Sequence, residues 1–186
     1  MQRTIRSFVT KLENISEWCG IAVSWCVLIM VLIIGYDVFM RFVFHIGSVA
    51  LQELEWHLFA VIFLLGASYT LKHDGHVRVD IFYQSKKLSD MHRAWIDLLG
   101  TLFFLFPFSI LIIVASWDFV ANAFAMGEGS PDPGGLPYRF LLKAAIPAGF
   151  VLLSIQGIAI ILRSIDTIFF AAQAQTPPQQ TKGPDQ

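Results

Sequence analysis

Charge is what this chain has least of. Asp, Glu, Lys and Arg make up 15% of its 186 residues, against about 25% in an ordinary soluble domain. Four stretches carry none at all: Trp18 to Tyr36, Trp56 to Leu71, Leu98 to Trp117 and Ala144 to Leu162. With 55% apolar residues and a mean hydropathy of +0.62, that scarcity excludes a water-soluble globule and makes this an integral membrane protein. Cysteine is nearly missing too. Cys19 and Cys26 stand seven residues apart on one helical stretch, about 10 Å along its axis and too far for a disulfide. They read as packing residues and say nothing about a redox compartment. The net charge of -1 and the scattered basic residues leave no cationic stripe for nucleic acid. No motif repeats from one stretch to the next, and an inverted-repeat transport core is usually larger than this chain.

The charge-free stretches run from sixteen to twenty residues, about 24 to 30 Å as helix, which is close to the thickness of a hydrocarbon core. The fold class is therefore all-α integral membrane with four transmembrane helices, spanning about 18–40, 54–71, 96–120 and 141–162 within a membrane domain of 18–170. Pro107 near the middle of the third span predicts a kink. Pro147 is expected in the first turn of the fourth, where its missing N–H costs nothing. Residues 1–17, with Ile5, Phe8, Val9, Leu12 and Ile15 at helical spacing, read as a cytoplasmic interfacial segment. The apolar run that follows Arg3, Arg6 and Lys11 is longer than a signal-peptide core and lacks a small-x-small cleavage site, so it is expected to remain as an anchor. From His45 to Glu55 a short amphipathic outer helix is expected before the second span. Ser89-Asp90 reads as a helix start, and MGEGSPDPGGLP at 126–137 reads as a surface loop. The Pro-rich 171–186 reads as a disordered cytoplasmic tail.

Position of charge sets the expected orientation. Ten of the thirteen Lys and Arg residues fall in the two terminal segments and the 72–97 connector; Arg41, Arg139 and Lys143 fall in the other two loops. By the positive-inside rule both termini are cytoplasmic. Trp18 and Trp95 then lie at inner ends and Trp56 and Trp117 at outer ends, as an aromatic belt requires, while Trp25 does not fit the belt and is expected to pack.

Little in the chain suggests chemistry. A translocation site needs an ionisable group at mid-membrane, but Asp37, Asp97 and Asp118 all fall at span ends, Asp37 at i,i+4 from Arg41. His45 and His57 are the only pair at comparable depth for an axial haem couple, and His73 and His76 with Asp74 and Asp80 are equally at home in a solvated loop. No catalytic, cofactor or metal residue is assigned. Small residues are more informative. Gly66 with Thr70, and Ala145 with Gly149 and Gly157, recur at helical spacing and let helix backbones approach. Whether the neighbour is this chain or another stays open.

Glu53-Leu54, then Phe63-Leu64-Leu65-Gly66-Ala67, then His73 and Gly75-His76-Val77-Arg78-Val79-Asp80, resemble the small membrane subunit of tripartite ATP-independent periplasmic (TRAP) transporters, the DctQ-like family. The likeness covers about residues 10 to 170. Ala60-Val61-Ile62 replaces a stretch where that family often has Trp, and His57 stands where Tyr is common. The resemblance implies a non-enzymatic scaffold in the bacterial inner membrane. It would brace a large elevator-type permease subunit that takes up an organic acid with sodium, the acid being delivered by a periplasmic binding protein. It further implies that Glu53, Glu55, Trp56 and His57 set the outer interfacial helix and that Gly66 and Ala67 meet neighbouring helices, as Gly149 and Gly157 would by their spacing. His76, Arg78 and Asp80 would hold the cytoplasmic turn, and the 127–137 loop would contact a partner. The alternative is a haem-binding membrane anchor of a respiratory enzyme, for which His57 is the candidate.

Overall fold

A computed structural model describes the backbone of residues 2–73 and 89–174, with side chains from 6 to 73 and from 89 to 169. The elements are α1 (Gln2–Val43), α2 (Val49–Lys72), α3 (Asp90–Gly100), a π-helical turn (Thr101–Leu105), α4 (Phe106–Ala125) and α5 (Phe140–Ala174). The π turn joins α3 to α4 without a break, so that among the described residues four helical rods are long and apolar enough to cross a membrane. Helix is the only secondary structure among the described residues, as lipid demands: an open strand or loop in hydrocarbon leaves N–H and C=O groups without partners.

Residues 2–17 are not a separate element but the first turns of α1, and residues 49–55 likewise begin α2. Neither stretch contains Pro or Gly to interrupt the ladder. Ser48 marks the start of α2, its extended backbone letting Oγ accept the Leu51 N–H at 3.4 Å. Pro147 also differs from expectation. Because α5 begins at Phe140, the proline sits inside the helix, where the Lys143 carbonyl one turn back loses its usual N–H. The strain expected at Pro107 is taken up just upstream. Its ring crowds the carbonyl of Phe103, and the preceding turn widens so that the Phe106 N–H bonds the Thr101 carbonyl five residues back.

α5 touches every other helix and forms the spine. α1 and α2 run antiparallel, with Gly20 against Tyr69, Val23 against Gly66, and Glu17 pairing with Lys72 at 2.5 Å and with His73 at 3.0 Å. At the end that carries both termini, Arg6 pairs with Asp166 at 3.4 Å and Arg163 pairs with Glu13. Slightly deeper, buried Ser16 donates to buried Gln156 at 2.9 Å, a polar pin between α1 and α5.

The interior is built from small side chains. Among the described residues, four of the six buried apolar ones are Ala94, Ala123, Ala145 and Ala159, and the largest side chains under 2% exposed are serines, Ser16, Ser68 and Ser109. In lipid, large apolar side chains gain nothing by turning inward, so close backbone approach carries the packing. α1 shows this most clearly. Ser16, Gly20, Val23 and Asp37 are buried, Cys26, Met30, Ile33 and Met40 continue the same stripe half-buried, and each step along it is three or four residues. The opposite face presents Trp18, Trp25, Leu32 and Phe39, each more than half exposed. Trp25 therefore does not pack inside: it lies seven residues from Trp18, two turns along the same outward face.

Gly66 and Gly20 both lie on the α1–α2 seam yet differ in freedom. A Cβ on Gly66 would meet Val23 Cγ1 at 3.5 Å, an ordinary contact, whereas one on Gly20 would run into the Tyr69 ring. Gly66→Ala is expected to leave the thermal midpoint unchanged or slightly raised, and Gly20→Ala to lower it. Restoration of the Gly20→Ala variant by Tyr69→Leu, followed by thermal melting in detergent, checks the pair.

Candidate functional site

The end of the bundle opposite the start of α1 holds the most organised polar structure among the described residues. It is built on Glu53, in the second turn of α2 and only 4% exposed. The Ser130 hydroxyl donates to its Oε1, and the Leu136 backbone N–H donates to its Oε2 at 2.6 Å. Both donors come from the α4–α5 loop, so one carboxylate holds that loop down on α2.

The loop's own sequence explains how it arrives there. α4 ends in a Schellman motif: Gly127 takes φ +59°, its N–H bonds the Phe124 carbonyl at 3.1 Å, and the Glu128 N–H bonds the Ala123 carbonyl at 2.9 Å. Asp132-Pro133-Gly134-Gly135 then forms a tight turn closed by the Gly135 N–H on the Asp132 carbonyl at 3.0 Å. Pro133 at the second position and Gly134 at φ +81° are what a type II turn requires. The Ser130 N–H to the Leu136 carbonyl at 3.0 Å and the Arg139 N–H to the Glu128 carbonyl at 2.9 Å zip the two limbs together. Gly135 faces the clasp. A Cβ there would collide with the Ser130 hydroxyl and lie 2.7 Å from Glu53 Oε2.

Charged and aromatic groups surround this carboxylate. Lys143 pairs with Glu128, and its Nζ sits 3.9 Å from the centre of the Phe119 ring. The Arg139 guanidinium lies over Trp56 at 5.6 Å. Trp56 in turn packs against His57 with ring centres 4.0 Å apart. His57 Nδ1 lies 2.5 Å from the Glu53 carbonyl, which can only accept, so Nδ1 carries the proton. Every oxygen of Glu53 is thus engaged, and what faces outward is the rigid tip Pro131 to Gly134 together with Tyr138, all exposed.

Of the residues singled out from the sequence, Glu53, Glu55, Trp56 and His57 share the first turns of α2, and Gly66 and Ala67 follow in its last third. Gly149 and Gly157 lie buried on α5: a Cβ on Gly149 would approach the Leu64 backbone carbonyl, and one on Gly157 would meet Leu105 and Thr101 of the π turn. His76, Arg78 and Asp80 lie outside the described residues. Asp37 is paired with Arg41, as its spacing suggests, but is 2% exposed rather than solvated. The haem reading gains no support, since His45 is exposed in the α1–α2 link and His57 is bound to its own helix and covered by Trp56. Ser130, Gly135 and Leu136 fall within the 127–137 loop that the sequence singles out, but nothing local marks them as partners of Glu53, and Arg139 and Lys143 lie just beyond that loop.

Compared with known families, residues 30–167 match the profile of the tripartite ATP-independent periplasmic transporters, DctQ component. No curated protein matches the chain.

Proposed function

The chain belongs to the DctQ family of tripartite ATP-independent periplasmic transporters, and from that premise we propose that this small membrane subunit is a non-catalytic brace for the large permease subunit. The transporter it serves takes up an organic acid, coupled to sodium, from a periplasmic binding protein. The family match over most of the chain carries this reading. It is supported by the placement of charge: the four charge-free stretches leave no Asp, Glu, Lys or Arg at the middle of any crossing, where a solute or proton would have to be handled.

In this reading the chain lies in the inner membrane with both termini cytoplasmic, following the bias of its Lys and Arg residues. The clasped loop then faces the periplasm. Its exposed tip is held by Glu53, stiffened by Pro131, Pro133 and Pro137, and is suited to contact the binding protein or the large subunit without an ordering cost. Trp56 and His57 set the depth of the α2 start. The outward face of α1, from Trp18 to Phe39, and Gly66 with Ala67 offer apolar surface and close approach to neighbouring helices. His76, Arg78 and Asp80 hold the cytoplasmic turn.

Co-purification tests the assignment. Tagged chain drawn from native membranes is expected to bring a large multi-span partner with it, and to give no solute flux when reconstituted without that partner. Repeated isolation of the chain unaccompanied, or uptake by liposomes containing it alone, would overturn the brace.

A further inference from the structure

The terminal end of the bundle carries a cavity that the clasp at the far end does not involve. It lies between α1 and α5, measures about 300 Å³, and is lined by Arg6, Val9, Glu13, Leu162, Arg163 and Asp166 among others. That volume is at the small end of the range for ligand pockets.

Its depth follows from the sequence. Leu162 is the last residue of a charge-free stretch and Arg163 the next, while Trp18, 73% exposed, stands five residues beyond Glu13 on α1, about 7.5 Å along the axis. Trp18 is also the first residue of the charge-free stretch of α1, where an interfacial Trp sits, so the cavity opens just outside the hydrocarbon, with Leu162 on its inner side. The charges are layered. Glu13 and Asp166 are 15% and 17% exposed, while the Arg163 and Arg6 side chains paired with them are 64% and 71% exposed. The carboxylates therefore sit behind the guanidiniums and orient them. A guanidinium has five N–H donors in a planar fork, and each of these spends one on its carboxylate. The donors that remain belong to the accessible face.

We propose that this cavity is a binding site for the phosphate of an anionic phospholipid, held by Arg6 from α1 and Arg163 from α5, with the glycerol end of the lipid against Leu162. Two forks from different helices match phosphate oxygens in the way a single lysine does not. Glu13 and Asp166 balance the two guanidiniums in formal charge, so the phosphate is held by exposed guanidinium N–H donors rather than by a net basic pocket. A bound headgroup would also tie the two ends of the chain to one lipid. The inference needs only a bilayer and stands apart from the transporter assignment.

The full chain, purified in detergent, is tested by native mass spectrometry and thermal melting with added phosphatidylglycerol, phosphatidylcholine or inorganic phosphate. Retention of phosphatidylglycerol and a raised midpoint are expected, with R6Q/R163Q lowering retention about 10- to 30-fold. K11Q, at an exposed lysine of the same helix outside the cavity, should retain it. Equal retention of phosphatidylcholine, a shift given by inorganic phosphate alone, or unchanged retention in the double variant would overturn the proposal. If the double variant does not fold, photoactivatable phosphatidylglycerol on the unaltered chain decides: crosslinks in residues 6–13 and 162–166 support the site, and crosslinks elsewhere refute it.

Discussion

Replacing Glu53 with Ala is expected to free the loop between α4 and α5 while leaving the four crossings in place. The carboxylate accepts the Ser130 hydroxyl and the Leu136 N–H, and both bonds gain from its charge. Such bonds are worth about 1.5–3 kcal/mol each, and a donor left without a partner loses about 1–3 kcal/mol. Exchange of the Leu136 amide with deuterium should accelerate by roughly 10- to 100-fold, and protease sites near the loop tip should open. Ser130→Ala removes one bond and leaves the Leu136 bond standing, so its effect should be smaller. Glu53→Gln keeps one acceptor but turns an N–H₂ toward a donor, and should fall between the two. If the Glu53→Ala chain also shows weakened capture of the binding protein, the tip's order matters for docking. An unchanged Leu136 exchange rate would mean that the clasp holds nothing.

The second large effect is expected at Gly149. A Cβ there would lie 2.7 Å from the Leu64 carbonyl oxygen and 3.0 Å from its carbon. Both atoms are backbone and cannot swing aside, so α2 and α5 must move apart by several tenths of an ångström. Overpacking of this kind costs about 1–3 kcal/mol, and in a domain of this size each kcal/mol lowers the melting midpoint by about 2–4 °C. Gly149→Ala should therefore melt several degrees lower, and Gly149→Val should fail to give monodisperse protein. Gly66→Ala, with only a 3.5 Å contact to Val23, is the matched control. Equal midpoints for the two alanine variants would remove the argument that close backbone approach holds this seam.

The crossings were legible because lipid punishes charge so severely that its absence alone marks them out. The loop was legible because Gly127, Pro131, Pro133 and Gly134 cannot continue a helix. What held the loop was not. Glu53 and Leu136 stand 83 residues apart, and no local pattern links them. The same limit hid Gly20, whose constraint is a tyrosine on another helix. For Trp25, what it packs against within this chain was not legible: the phase of α1 puts it beside Trp18 on the face turned outward. Pro147 was misplaced because the helix start was set by the end of the charges at Lys143. The backbone instead turns helical just after Tyr138, which sits at φ +63°.

The two buried acids impose an order on biogenesis. Asp37 finds its counter-ion four residues on, in Arg41, so the pair can form as soon as that turn coils inside or near the ribosome. Glu53 must wait for donors 77 and 83 residues downstream. Until the third crossing has been threaded and its hairpin has returned, that carboxylate has to stay hydrated at the lipid surface. The seating of this glutamate can therefore precede the fourth crossing, while the opposite end of the nascent bundle stays open longer, because Glu13 and Arg6 wait for Arg163 and Asp166, 150 and 160 residues downstream.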